Sequence, residues 1–342
     1  MANIFGVITT IQAPTPAVEA LSRALTRVGG RLVVAGDRKT PLSPWEASAG
    51  FLSIERQKQL PHALATQLPE NHYSRKNLAY LSAIEQGASS IFDTDDDNAP
   101  LATWVPRDER TTACAVPARR WTNTYELFAD PDERIWPRGF PLEELSASSE
   151  LVRGVASRVT APVQQSLVNG SPDVDAVWRL TQDRPFTFRN ERSVALARGS
   201  WCPFNSQSTW WFPKAYALLY LPSYVSFRMT DIWRSFVAQR CLWELGAGLV
   251  FHAPEMYQER NPHVLLRDFE QEIPGYLGNA RLCAMLEELA LESAAEATGT
   301  NVRRCYEALA RAGFVEAREL PLVDAWLHDL GELRRRVGVY AG

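Results

Sequence analysis

Cysteine is scarce in this chain, and its five residues are scattered with no Cys-x-x-Cys pair. This spacing argues against a zinc site and against a disulfide scaffold, because both need closely spaced or paired cysteines. An odd number of cysteines fits reduced thiols, so we expect a cytoplasmic protein. The five are Cys114, Cys202, Cys241, Cys283 and Cys305.

Long apolar runs and an excess of positive charge are also missing. No stretch of about 18 apolar residues occurs, so no transmembrane segment is expected, and the start of the chain lacks the pattern of a signal peptide. The formal net charge of -4 gives no general attraction to nucleic acid. What is present is an ordinary globular composition with many aromatic residues, among them 11 tryptophans, which suit either a large core or a sugar-binding cleft.

The first hundred residues alternate strand and helix patterns. Strands are predicted over residues 4–11, 31–35 and 88–92, with helices over 16–28 and 75–86 between them. This alternation predicts an α/β fold, with a mostly parallel central sheet flanked by helices. Ligands of such sheets bind at the carboxyl ends of the strands, so the turns at Thr9, Asp37 and Asp95 should lie close together.

The later part of the chain is read more coarsely. We predict a strand region over 163–180 with 174–178 as its core, a helix over 232–245 and a short strand over 249–252. Amphipathic patterns over 279–295, 301–312 and 323–337 predict a C-terminal helical appendage.

The acidic run that follows the third predicted strand is the most informative motif. Residues 91–98 read Ile-Phe-Asp-Thr-Asp-Asp-Asp-Asn, so an apolar pair leads directly into Asp93, Asp95, Asp96 and Asp97. Carboxylates at the end of a buried strand suit Mg²⁺ or Mn²⁺, which prefer oxygen ligands. The alternative is a solvated acidic loop, and for Asp93 a structural role remains as reasonable as a functional one.

Several ordered blocks resemble the glycosyltransferase domain of STELLO proteins. They are residues 73–88, 91–98, 135–143, 172–177, 202–209 and 231–235, and they span roughly residues 3 to 275. A more distant resemblance reaches the UDP-arabinopyranose mutases, or reversibly glycosylated polypeptides, through the Asp-Asp-Asp turn and an Asp-x-Trp helix start. Both resemblances imply a GT-A type nucleotide-sugar-binding fold over residues 1–278, with a nucleotide half near 1–100 and an acceptor half near 150–278. The C-terminal helical region is then 279–342.

The resemblance also implies roles for the acidic run. Asp95 would face the ribose and help to bind Mn²⁺ or Mg²⁺, Asp97 would bind the metal, and Asp96 would reinforce the site. A later histidine often completes such a site, for which His263 is the candidate and His252 the other possibility. Both histidines have an ordinary structural role as their alternative.

Other donor contacts are predicted from position. Arg75 and Lys76 begin the helix before the acidic strand, where cations oppose the helix dipole, which favours phosphate contact over a merely solvated helix start. Asp37 and Thr9 follow strands at the same edge, and either contact the base or ribose or simply form turns.

The acceptor side centres on Asp231. Thr230 and Asp231 are suitable N-cap residues, but the resemblance implies that this carboxylate faces the acceptor as a catalytic base. Arg234 would contact phosphate or pair with Asp231, and the polar aromatic segment supplies Asn205, Gln207 and Trp210 for binding a sugar.

These observations predict a metal-dependent glycosyltransferase that moves a sugar from a nucleotide sugar, most simply a UDP-sugar, to a glycan or glycoconjugate acceptor. A nucleotide-sugar mutase that interconverts pyranose and furanose rings is the alternative. A non-catalytic binding module would be expected to lose Asp95 and Asp97, which this chain retains.

Overall fold

The computed structural model describes residues 3–46, 48–146, 151–261 and 264–337. Within these ranges the strands are β1 (Ile4–Thr9), β2 (Arg31–Ala35), β3 (Phe51–Leu52), β4 (Ser90–Thr94), β5 (Asn98–Pro100), β6 (Arg110–Ala115), β7 (Ala156–Thr160), β8 (Val163–Gly170), β9 (Val194–Ala195), β10 (Ser208–Trp211) and β11 (Leu249–Gln258). The α-helices are α1 (Pro16–Arg27), α2 (Ile54–Lys58), α3 (Lys76–Glu85), α4 (Thr124–Phe128), α5 (Ala176–Gln182), α6 (Thr230–Glu244), α7 (Leu265–Glu287), α8 (Thr298–Arg311) and α9 (Leu320–Val337).

One large mixed sheet organises the described residues. Its order is β3-β2-β1-β4-β10-β8-β11-β9-β6-β7, with β5 paired to β11. The strands β3, β2, β1 and β4 are parallel to one another, whereas β10 is antiparallel to both β4 and β8. The predicted α/β class, with a central sheet flanked by helices and a helical C-terminal region, is confirmed.

The first predicted elements lie within about two residues of the observed β1, α1, β2, α3 and β4. The strand core predicted over 174–178 is wrong, because β8 ends at Gly170 and helix α5 begins at Ala176. Asp175 is the N-cap of this helix, and its side chain accepts a hydrogen bond from Trp178 N. That cap starts a helix where β-branched residues had suggested a strand.

Successive residues of β10 face opposite sides of the sheet, as strand geometry requires. Trp211 belongs to the core on the side of α6 and α9, whereas Trp210 belongs to the smaller core on the side of α1. Both indole rings are fully buried.

The C-terminal helices pack onto the main body. Trp326 of α9 is buried in the same core as the residues of α3, and the Asp329 carboxylate accepts hydrogen bonds from Ala63 N and Leu64 N at 2.8 and 2.9 Å. Buried Glu319, just before α9, accepts hydrogen bonds from Ser223 N and Tyr224 N at 2.9 and 2.6 Å. Helix α7 runs across the predicted boundary at residue 278, and the division into two domains stays a prediction.

Two expectations concern the surroundings of the protein. Among the described helices, none has the length and apolar character that crossing a bilayer requires. All five cysteines are buried free thiols.

Candidate functional site

The candidate site is a cleft of about 620 Å³ at the carboxyl edge of the parallel strands. Its lining includes Thr9 at the end of β1, Thr10 after it, Asp37 after β2, Asp95, Asp96 and Asp97 after β4, Gln207 before β10, Asp231 in α6 and Gln258 at the end of β11. Hollows of about 810 and 880 Å³ lie beside α8 and α9 and beside α1 and β2, but neither contains a predicted site residue. We therefore assign the site by its chemistry, and the predicted convergence of the strand ends is confirmed.

The three consecutive carboxylates of Asp95, Asp96 and Asp97, here called the acidic wall, point to different partners. Asp95 accepts a hydrogen bond from the Tyr73 hydroxyl at 2.7 Å, and Asp96 accepts one from the Thr10 hydroxyl at 2.5 Å. Asp97 accepts hydrogen bonds from the side-chain amides of Gln258 and Asn261 at 3.0 and 3.4 Å. Most of these partners are neutral, so the wall keeps much of its negative charge.

Burial raises the pKa of each carboxyl group in the acidic wall. For Asp95 the pKa rises to about 6, because burial and the charge of Asp97 outweigh the opposing effect of Lys76. A bound cation would favour the ionised forms, since an opposite charge nearby lowers a carboxyl pKa.

The donor atoms of the acidic wall fit a hard divalent cation. Asp95 and Asp97 offer carboxylate oxygens, and Mg²⁺ commonly takes one or two of these together with water and substrate phosphate. Within the part of the chain that the structure describes, no group of three or more Cys, His, Asp or Glu residues could hold a metal by itself. Phosphate and water oxygens would therefore have to complete the coordination.

The two histidine candidates have different outcomes. His263 lies outside the described residues. His252 is fully buried, with its ring nitrogens 2.6 Å from Ser193 Oγ and 2.9 Å from Gln164 Oε1, and it does not line the cleft. Its role is structural.

Lys76, Asp93 and Arg234 form a buried ion network beneath the cleft. Lys76 Nζ lies 2.6 Å from Asp93 Oδ1, and Arg234 Nη1 lies 3.0 Å from Asp93 Oδ2. Lys76 also reaches Asp95 Oδ1 at 3.3 Å. Arg234 forms no ion pair with Asp231 and does not line the cleft. Asp93 is therefore structural, and Lys76 supports the acidic wall from below.

Three other predicted contacts are not brought into the cleft. Arg75 donates hydrogen bonds to Gln57 Oε1 and the Leu68 carbonyl at 2.7 and 3.1 Å, on the far side of its helix start. Trp210 packs against Phe92 and Trp104 in the core, since the alternation of β10 turns it away from the cleft.

Asn205 is the third of these contacts. Its Oδ1 accepts hydrogen bonds from Gln165 Nε2 and Gln207 N at 2.7 and 2.9 Å, which orders the turn before β10. The neighbouring Gln207 does line the cleft, and its Nε2 donates a hydrogen bond to Gln258 Oε1 at 2.8 Å.

Thr9 and Asp37 line the cleft but also order its loops. The Thr9 hydroxyl donates to the Ala35 carbonyl at 2.9 Å. The Asp37 carboxylate accepts from the backbone N–H groups of Arg38, Asn71 and His72 at 2.8 to 2.9 Å. Thr9 and Asp37 can therefore both order their turns and take part in the site, so the two interpretations do not exclude each other.

Asp231 lies at the cleft, and its carboxylate is fixed by Arg138. Arg138 Nη2 lies 3.0 Å from both Asp231 oxygens, and the same guanidinium binds both oxygens of Asp173 at 2.7 Å. The capping interpretation is wrong, because the N-cap of α6 is Met229 and no side chain caps the helix.

The sequence reasoning missed the arginines of the cleft. Besides Arg138, the cleft is lined by Arg179, Arg228 and Arg260, here called the arginine wall. Arg138 and Asp173 lie within the resemblance blocks 135–143 and 172–177, which was an available signal. The arginine wall comes from three distant segments and has no local motif.

The mixed α/β fold, a large central sheet flanked by helices with further helices at its C-terminal end, is consistent with a GT-A-like glycosyltransferase. The sequence model of the STELLO glycosyltransferases matches residues 228–338. The chain is 30% identical to the probable glycosyltransferase STELLO2 of Arabidopsis thaliana and 29% identical to the probable glycosyltransferase STELLO1 of the same plant. The resemblance to the STELLO-type glycosyltransferase domain is confirmed.

These similarities have a defined extent. Each covers 95% of this chain but 44% of the relative, so the chain spans less than half the length of these proteins. The family match also reaches through α8 and α9, beyond the blocks that the sequence alone made recognisable.

Proposed function

We propose that this chain is a metal-dependent glycosyltransferase that transfers a sugar from a nucleotide sugar to a glycan or glycoconjugate acceptor. The observation that carries the proposal is one cleft with two unlike walls. Half-buried carboxylates that lack full charge compensation stand on one wall, and a fixed carboxylate among arginines stands on the other.

The donor half of the cleft has groups for each part of a UDP-sugar. Thr9, Thr10 and Asp37 lie where the base and ribose would enter, and Asp95 is next to them. Asp95 and Asp97 would hold Mn²⁺ or Mg²⁺, which when bound neutralises the charge that develops on the diphosphate. Asp96 holds the wall in position through its hydrogen bond with Thr10.

The acceptor half is built around Asp231. Arg138 fixes the carboxylate in place, and Asp231 Oδ2 also accepts a hydrogen bond from Ser206 N at 3.3 Å. A carboxylate held in this way can take a proton from an acceptor hydroxyl as a general base.

Phe227 supplies the apolar surface that Trp210 was expected to provide. Its ring is 51% exposed and lines the cleft, with the rings of His72 and Tyr73 at 6.4 and 6.2 Å in edge-on contact. An exposed aromatic face of this kind suits the C–H face of a sugar.

Nucleotide-dependent thermal stability tests the proposal. Purified protein is heated with UDP, GDP, ADP or CMP, each with Mn²⁺ or with EDTA. We expect one nucleotide to stabilise the protein only with Mn²⁺, by about 2.7 kcal/mol at a hundred times its Kd.

Two results would contradict the proposal. The first is the same melting temperature for every nucleotide with and without Mn²⁺. The second is interconversion of ring forms when the protein is given a UDP-sugar and no acceptor, which would identify a mutase.

A further inference from the structure

The arginine wall carries more positive charge than its neighbours balance. Arg228 pairs with Glu272 at 2.8 Å and Arg260 pairs with Asp268 at 2.7 Å. For Arg179, no carboxylate lies within ion-pair distance in the described ranges. The nearby Asp173 is already bound on both oxygens by Arg138.

Arg179 is also poorly satisfied as a hydrogen-bond donor. Its Nη2 donates to the Pro172 carbonyl at 2.5 Å, while its buried Nε has no partner. The residue is only 6% exposed. The guanidinium carbon lies 5.6 Å from the centre of the Trp178 ring, but this contact gives Nε no acceptor. A buried guanidinium without an ion-pair partner opposes folding.

The positive charges of the three arginines repel one another, and a bound anion would reduce this repulsion. Burial and the charges of Arg260 and Arg228 outweigh the opposing charge of Asp173 and lower the pKa of Arg179 to about 10. The side chains come from α5, from the turn before α6 and from the segment after β11, so separate elements bring like charges to one surface.

We propose that Arg179, with Arg228 and Arg260, forms an oxyanion subsite that works without the metal. Guanidinium groups bind phosphate and carboxylate through charge-assisted hydrogen bonds. The inference rests on the proposed function, since the oxyanion belongs to one of the two reactants. It is either the diphosphate of the donor or an acidic group on the acceptor.

Inorganic pyrophosphate is the probe, titrated calorimetrically into protein kept in EDTA. We expect wild-type protein to bind it and Arg179→Gln to bind it at least about tenfold more weakly. Arg23→Gln, which removes an exposed arginine of α1 outside the cleft, is the matched control and should bind as wild type. Arg260→Gln gives a second test should the Arg179 variant fold poorly.

The source of the oxyanion follows from UDP titrated with Mn²⁺. If Arg179→Gln weakens this binding by a similar factor, the subsite serves the donor diphosphate. Unchanged UDP binding with weakened pyrophosphate binding assigns it to an acidic acceptor.

The inference and the proposed function can fail separately. The subsite would be overturned if wild-type protein does not bind pyrophosphate in EDTA. It would also be overturned if neither Arg179→Gln nor Arg260→Gln weakens that binding. A lack of any Mn²⁺-dependent nucleotide effect would overturn the proposed function alone, because pyrophosphate binding needs no metal.

Discussion

The acidic wall and the buried ion network lie next to each other and use the same residue type in opposite ways. Asp93 is fully buried between Lys76 at 2.6 Å and Arg234 at 3.0 Å, so its charge is met twice. Asp95, two residues later, has a hydroxyl partner and the longer 3.3 Å contact with Lys76. The paired charge of Asp93 supports the fold, whereas the less compensated charge of Asp95 is available to bind a ligand.

Breaking the buried ion network should have the largest effect. Arg234→Gln leaves Asp93 with one cation in a fully buried position, so the free energy of unfolding should fall by about 3 to 5 kcal/mol. Urea unfolding measures it. The matched control is Arg303→Gln, whose partners Asp324 and Glu307 are both exposed, and we expect a loss below about 1 kcal/mol there. Equal losses in the two variants would erase the distinction between the two regions.

Asp97→Asn should change binding and leave the fold intact. Removing one carboxylate of the acidic wall should weaken Mn²⁺-dependent UDP binding by about a hundredfold or more. The free energy of unfolding should change by no more than about 0.5 kcal/mol, because the side-chain partners of Asp97 among the described residues are neutral amides. Retained metal-dependent binding in this variant would remove Asp97 from the metal site.

The acidic wall and the Arg138–Asp173 pair should respond oppositely to pH. Burial raises the pKa of Asp95 from its ordinary 3.8 to about 6, so its contribution to stability is present below pH 3.8 and is lost as the pH rises to about 6. Although burial opposes it, Arg138 holds the pKa of Asp173 low, so that contribution is present above the ordinary carboxyl range and is lost in acid.

This difference gives a measurable expectation for metal binding. Because a cation needs ionised Asp95, Mn²⁺ should bind about tenfold more weakly at pH 5 than at pH 7. Unfolding with and without Mn²⁺ at both pH values tests it, with Asp95→Asn as the control that should flatten the difference. A metal effect that is equal at the two pH values would contradict the assignment.

The first hundred residues were predictable because their signals are local. Apolar periodicity and the Gly29-Gly30 and Gly87 stops define β1, α1, β2, α3 and β4, and parallel topology then brings their ends together. The region 174–178 was not predictable from composition, because one hydrogen bond from Trp178 N to Asp175 selects the helix.

The candidate site also has one part with a local sequence signal and one part without. The acidic wall is contiguous in the chain, so its motif was visible. The arginine wall is assembled from three segments more than 30 residues apart, and neither spacing nor residue type relates them. Arg75 and Trp210 were misplaced because the sequence does not indicate which face of a helix start or a strand meets the cleft.

Glu319 gives the C-terminal helices a practical significance. It accepts hydrogen bonds from Ser223 N and Tyr224 N, a few residues before Phe227 and Arg228 enter the cleft. A fragment trimmed at residue 278 would lose this anchor and release the entrance of the cleft. A lack of activity in such a fragment would then reflect the lost structure at the cleft entrance, and would say nothing about the catalytic role of the cleft residues.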